Sequence, residues 1–229
     1  MTDLSRPKPI LDARALRMPE LGHKKLPEQK RAIETYERIL QCTAELLAEV
    51  GFEVLSTNLV CKHAGLSPTA LYRYFPNKYA LLHELGVRLM NAQNVLVEQC
   101  LQPEALLDPE QHLQPALVQL FLETYRVTQD TTAGVWITRA LRAVPTLQDV
   151  RIRSHQTVTD EMQQGLSTLH PDIDTEQLRI TVRLSVELTY AALEMLFDDP
   201  SMDLHRVADT TAWLVYDMFK RVGVVRKAA

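Results

Sequence analysis

Residues 56–78 read S-T-N-L-V-C-K-H-A-G-L-S-P-T-A-L-Y-R-Y-F-P-N-K, from Ser56 to Lys78. The run parses as a short helix, a tight turn and a second short helix. Leu59, Val60 and Ala64 recur at helical spacing, so the first helix buries one face. Ala64-Gly65 ends it, because glycine accepts the positive φ that a sharp helix exit needs. Leu66 is the apolar plug of the turn. Ser67 offers a side-chain oxygen as N-cap, and Pro68 fits the first helical position, where no N–H partner is required. Leu71, Phe75 and Tyr72 are expected to anchor the second helix, leaving Thr69, Ala70, Arg73 and Tyr74 on or near the outer surface. A helix-turn-helix of this kind is a shape suited to laying one helix in the major groove of DNA.

The run A-G-L-S-x-x-x-L-Y-x-Y-F-x-x-K-x-x-L, from Ala64 to Leu82, resembles the signature of the TetR/AcrR family of bacterial transcriptional regulators. The preceding helix and Gly51-Phe52 fit as well. The likeness covers roughly residues 31–90, and the remainder agrees in length and helical character. By this resemblance Ser56, Thr57, Ser67, Tyr72, Tyr74 and Lys78 fall where family members touch phosphates. Pro68, Thr69, Ala70 and Arg73 fall on the recognition helix, where base edges are read. The chain departs from the pattern at Leu59, Val60 and Cys61, where the family usually has a polar or charged residue followed by Ile-Ala. Its first short helix is therefore more apolar than usual.

A chain of 229 residues can bury a large core, as one big domain or as a small one plus a larger one. No run approaches the ~18 uninterrupted apolar residues of a membrane span. The first 26 residues lack the apolar stretch of a secretion signal, so a cytoplasmic location is expected. Cys42, Cys61 and Cys100 are odd in number and show no C-x-x-C spacing, which argues against a disulfide framework or a zinc site. The net charge of −4 conceals an asymmetry: residues 1–80 carry +3 and the remainder −7. A basic front on an acidic body suits an approach to DNA in one orientation.

Residues 1–26 have no regular period and contain Arg6, Lys8, Arg14, Arg17, Lys24 and Lys25. They read either as a plain tail or as a basic arm that follows the phosphate backbone. From Pro27 the rhythm of Ile33, Tyr36, Ile39, Leu40, Thr43, Leu46, Leu47 and Val50 predicts a helix closed by Gly51. Another long helix opens at Lys78 and reaches about Leu101, with Leu81, Leu82, Leu85, Leu89 and Val95 as its apolar side. Further helices are expected near 110–128, 132–143, 147–168, 175–197 and 203–222. The stretch Leu178 to Leu188 alternates like a strand, but Glu176, Arg179, Arg183, Glu187, Tyr190 and Glu194 gather into one narrow stripe on a helical wheel. The fold class is therefore all-α. The expected organisation is an arm over 1–26, a three-helix DNA-binding domain over 27–80 with its motif at about 56–75, and a helical regulatory and dimerisation domain over 81–229.

A helix with only a narrow polar stripe must be covered on more than one side. The last two helices thus predict a four-helix interface between two copies, with Val186, Leu188, Leu193, Val207, Leu214 and Met218 as candidate contacts. A large monomeric core is the other way to cover them. The body between Val87 and Phe197 is expected to enclose a mostly apolar pocket with a few orienting polar groups, the candidates being Tyr125, Trp136, Arg139, Tyr190 and Glu194. Trp136 equally fits a core position, and Arg139 a salt bridge. No nucleotide-binding glycine loop, nucleophile elbow or H-E-x-x-H is present, and the spacing E-x-x-H occurs once, at Glu20 and His23, rather than as the pair a di-metal bundle site needs, so no catalytic residue, metal or cofactor is expected. The reading is a homodimeric, ligand-responsive repressor that binds a double-stranded, near-palindromic operator. The alternative is an all-helical small-molecule-binding protein or enzyme with a vestigial helix-turn-helix.

Overall fold

The structure, a computed structural model, describes residues 19–21 and 27–225. The basic residues named for the arm lie outside these. Every regular element among the described residues is helical: α1 (Lys30–Val54), α2 (Thr57–Ala64), α3 (Pro68–Tyr72), α4 (Lys78–Cys100), α5 (Pro103–Leu107), α6 (Pro109–Asp130), α7 (Gly134–Ala143), a 3-10 turn (Pro145–Leu147), α8 (Gln148–Leu169), α9 (Thr175–Asp198) and α10 (Leu204–Arg221). The short α5 is not visible as a separate element in the sequence pattern.

Breaks in α1–α4 follow from local chemistry. Gly51 interrupts α1 with φ 72° and ψ 175°, a conformation that essentially only glycine adopts. Gly65 closes α2 at φ 62°. The starts of α2, α3 and α4 are capped by Ser56, Ser67 and Asn77, whose side-chain oxygens accept from the amides of Leu59, Ala70 and Ala80. Around Tyr36, Ile39, Leu47, Val60, Leu71 and Phe75 a dry core forms, with Tyr36 stacked on Phe75 at 4.8 Å. Ile33, expected on the buried side of α1, is 42% exposed. Outside the core, Arg88 of α4 grips Glu37 of α1 through two bonds of 2.6 and 2.8 Å and bonds Glu84 at 2.9 Å.

The same core continues into the body through Ile137, Leu141, Leu147 and Val150, so the reading head is seated on α7 and α8. Contact at Gly86 is close, since a Cβ there would stand 2.7 Å from a methyl of Leu141. The rest of α4 runs between α6 and α8 at the centre of the body, while α10 packs on α6 and α9 on α8. Along α4 the buried positions shift to Gln93 and Leu96; Val95, expected inside, is 47% exposed. Two further cores close the body: one around Leu113, Leu178 and Phe219, the other around Phe121, Leu193 and Leu196. No described helix is long and apolar enough to cross a membrane.

Candidate nucleic-acid interface and body cavity

Leu71 is fully buried beneath α3, whereas Ser67, Pro68, Thr69, Tyr72 and Arg73 are exposed and Ala70 is half-buried. The outward side of α3 is thus small and polar, with one guanidinium and one phenol. Two positions exchange the roles expected of them. Tyr72 is not an anchor: it is 40% exposed, and its hydroxyl shares a 2.9 Å hydrogen bond with Thr57 on α2. Tyr74, expected outside, is buried with its ring edge-on to Tyr36 at 5.9 Å. The reason is that α3 ends at Tyr72 with Arg73 as its C-cap, so the chain turns and carries Tyr74 inward.

Lys78 also differs from expectation. Its ammonium donates to the carbonyls of Phe52 and Leu55, each at 3.2 Å, and lies 4.3 Å above the Phe52 ring. Cationic donors at the last carbonyls of a helix satisfy groups that have no partner within it. Lys78 therefore ties the exit of α1 to the start of α4, and its charge is committed inside the head rather than held out for a phosphate. The departure at Leu59, Val60 and Cys61 has a packing explanation: Val60 and Cys61 are buried against α1 and Leu59 is half-buried. Asn77 bonds the carbonyl of Glu20, and Leu21 packs on the head, so residues 19–21 lie against the start of α4.

In the body part of the polar stripe of α9 turns inward, while Glu176 and Arg179 stay exposed. Glu187 accepts from Arg183 at 2.6 Å, from Arg151 at 3.4 Å and from buried His155 Nδ1 at 3.0 Å. Burial opposes the charge on Glu187, but the bond from His155 and the positive charges of Arg183 and Arg151 prevail and hold the carboxyl below its ordinary value. Burial lowers His155 from 6.5 to about 4 against the pull of Glu187, so the imidazole is neutral near pH 7. Its ring stacks on Tyr190 at 4.3 Å, and the Tyr190 hydroxyl donates to Gln93. Burial raises the Tyr190 hydroxyl well above its ordinary value.

His155, Tyr190 and Gln93 line a cavity of about 60 Å³ between α4, α6, α8, α9 and α10. Of the five residues expected to line a pocket, Tyr190 lines this cavity, whereas Arg139 and Glu194 line a separate cleft of about 210 Å³ between α7 and the end of α9. Tyr125 stacks on Phe197 at 5.2 Å. Arg139 pairs with Asp198 at 2.7 Å, and Arg142 pairs with Glu194; both bonds fasten α7 to the end of α9. Trp136 lies at the seam of head and body, its indole rim 3.8 Å from where a Cβ on Gly51 would be. Sequence reasoning missed Gln93, His155 and Ser185 as lining residues. Only an inward-facing polar residue on an otherwise apolar helix face could have flagged them.

Expected contacts between copies separate into two groups. Val186 faces the cavity, and Leu193 and Val207 are buried within the chain's own core, so these three are corrected. Leu188 and Leu214 are 41% and 56% exposed, and Met218 is half-buried. With Leu188, the exposed residues Ile180, Leu184 and Met195 form a continuous apolar stripe along α9, and Trp213 extends the exposed apolar face of α10.

Cys42, Glu45 and His63 lie close together, their ligand atoms within 4.8 Å of one another. Spacing alone could not have revealed this group. Burial pushes the Cys42 thiol up, which keeps it protonated, and Glu45 already bonds His63 at 3.1 Å.

A capped, outward-facing helix on a small three-helix head, joined by one long helix to a helical body with an internal cavity, defines a helix-turn-helix DNA-binding protein. Residues 39–85 match the family model for "Bacterial regulatory proteins, tetR family". The HTH-type transcriptional regulator UidR of Escherichia coli (strain K12) is 26% identical over 186 residues, which span 79% of this chain and 89% of UidR. The reading head is thus that of the TetR family, and most of the chain is similar to a transcriptional regulator. The fold of the chain is shared by a tetR-family transcriptional regulator from Streptomyces coelicolor (TM-score 0.62, 16% identity, 85% of this chain and 84% of the other). It is shared too by SmeT, solved as a complex with triclosan (TM-score 0.61, 19% identity, 86% and 99% covered).

Proposed function

We propose that the chain is a homodimeric repressor, acting in the cytoplasm and without catalytic activity, that leaves a near-palindromic operator when a small molecule enters its body. The observation that carries this reading is α3 itself: Leu71 is fixed in the core while Pro68, Thr69, Tyr72 and Arg73 project from the surface. In this reading residues 27–80 are the DNA-binding unit and the remainder the regulatory and dimerisation unit. Thr69 and Arg73 probe base edges, and Ser56, Thr57, Ser67 and Tyr72 with the helix N-termini set the head on phosphates. Lys78 and Tyr74 serve by holding α3 at its angle. Two heads would sit about 34–36 Å apart, one turn of DNA.

The apolar stripes of α9 and α10 support pairing of two copies, since exposed contiguous apolar faces of this kind mark interaction surfaces. The connection from effector to DNA runs along α4, which starts under the head and forms a wall of the cavity. With only about 60 Å³ free, a ligand larger than a few waters must move the walls. Release then requires that the ligand favour the spread arrangement over the one that spans two half-sites.

Selection of bound fragments from random DNA tests the reading. A palindromic consensus should emerge, and Arg73→Ala should relax it at one base pair per half-site, by about 1–3 kcal/mol. Absence of any consensus would sink the repressor assignment. Sedimentation of Leu188→Glu with Leu214→Glu should halve the mass, and an unchanged mass would refute the pairing.

A further inference from the structure

Among the polar side chains of the cavity, most are already satisfied from within the chain. Gln93 accepts from Tyr190 and donates to Thr128. Thr124, Ser185 and Thr189 donate to backbone carbonyls of their own helices, and Asn94 accepts from Ser154. His155 is the exception. It is 1% exposed and lines the cavity, and its Nε2 is buried without a hydrogen-bond partner. A buried polar atom left unpaired is costly, so this atom, on a residue that lines the cavity, is a ready receiver for a donor that enters there.

What it can receive follows from its other nitrogen. Nδ1 faces the Glu187 carboxylate, which Arg183 and Arg151 keep charged, and a carboxylate can only accept. Nδ1 therefore carries the proton, and Nε2 presents a lone pair. Stacking on Tyr190 fixes the plane in which that lone pair points. From this polar end the cavity runs along α4 from Gln93 to Leu101 and along α8 from His155 to Met162, about 10–12 Å at 1.5 Å per residue. The far end is lined by Leu101, Leu117, Met162 and Val215.

We infer that the cavity takes an uncharged, elongated, mainly apolar molecule bearing a hydroxyl or N–H group at one end, which donates to Nε2 of His155. The inference rests on reading this cavity as the effector site. An anion would meet a lone pair, and an imidazole that resists protonation in this setting. A cation would find the Glu187 oxygens already shared among His155, Arg151 and Arg183.

The test uses the full-length chain and three probes of one shape: 4-butylphenol, 4-butylanisole and 4-butylbenzoate, each titrated calorimetrically. The phenol should bind at least about tenfold more tightly than either of the others, a difference of ~1.4 kcal/mol. In protein labelled with ¹⁵N-histidine, the phenol alone should move the Nε2 resonance of His155 upfield, a readout that needs no variant. His155→Phe keeps a flat ring on Tyr190 and should bring phenol and ether within about twofold of each other.

Equal binding of phenol and ether, or phenol binding with no movement of Nε2, would overturn the inference while leaving the cavity as effector site. Tightest binding by the benzoate would also overturn it, by making His155 an imidazolium. If no probe binds but a compound of another class releases the protein from its selected operator, the inference falls and the effector reading stands. If no compound of any class releases it, both fall.

Discussion

Two regions of this molecule are held together by different kinds of contact. In the reading head the polar groups that shape each helix start bond close by: Ser56 to Leu59, Ser67 to Ala70 and Asn77 to Ala80. The body has such local caps at Asp174 and Asp203, but the polar groups around its cavity bond far away. Tyr190 reaches Gln93 across 97 positions, and His155 reaches Glu187 across 32. A head with a filled core, pinned by local caps and braced by Arg88 on Glu37 and Lys78 on Phe52 and Leu55, holds one shape, whereas a body whose interior polar groups are joined around a void can take more than one arrangement. Rigidity suits reading a fixed duplex, and a loosely filled interior suits a response.

The contrast can be broken most forcefully with one substitution made twice. A Cβ on Gly134 would stand 2.0 Å from the carbonyl oxygen of Thr128, so Gly134→Ala must shift backbone, with a loss on the order of 3 kcal/mol. Gly65 has open space around it and only its φ of 62° to satisfy, so Gly65→Ala should cost about 1 kcal/mol. Chemical denaturation of both variants decides the matter, and equal losses would remove the distinction.

Acid sharpens the comparison next. Unfolded His155 titrates near 6.5 and folded His155 near 4, so between those values the unfolded chain holds the extra proton. The stabilisation is complete above pH 6.5 and is lost as pH falls towards 4, by up to about 3 kcal/mol. Denaturation midpoints measured across that interval should fall in the wild type and stay flatter in His155→Phe. A smaller effect than that of acid is expected in the head. Lys78→Met removes two charge-assisted bonds to half-buried carbonyls and should cost about 1–2 kcal/mol, with operator affinity reduced alike on every sequence. Unchanged stability with a shallower salt dependence of operator binding would instead place Lys78 on a phosphate.

This division also explains what could be read from the chain in advance. Caps, the exits at Gly51 and Gly65, and the limits of nearly every long helix depend on neighbours within a few residues, and they stood in the sequence. The facing of Tyr72 and Tyr74 did not, because where α3 stops, at Tyr72, sets the direction of everything after it. The stripe from Glu176 to Glu194 reads as a solvated face on a wheel. Only the approach of Arg142, Arg151 and His155 from other helices turns part of it inward. For the same reason Tyr190 was legible as a cavity residue, while Trp136 and Arg139 proved to be seam and brace. Leu193 and Leu188 differ by five positions on one helix, and nothing in composition says that the first meets Phe121 and the second meets solvent.

The chain has two tryptophans, and their placement has an optical consequence. Trp136 abuts Gly51 where head meets body, and Trp213 stands on the outer side of α10. Each indole thus reports on a different joint. With Trp213→Phe the emission of the remaining indole follows the hinge alone, and with Trp136→Phe it follows only the flank along which a second copy would lie. The molecule carries its own pair of lamps, one for each motion a switch of this design would need.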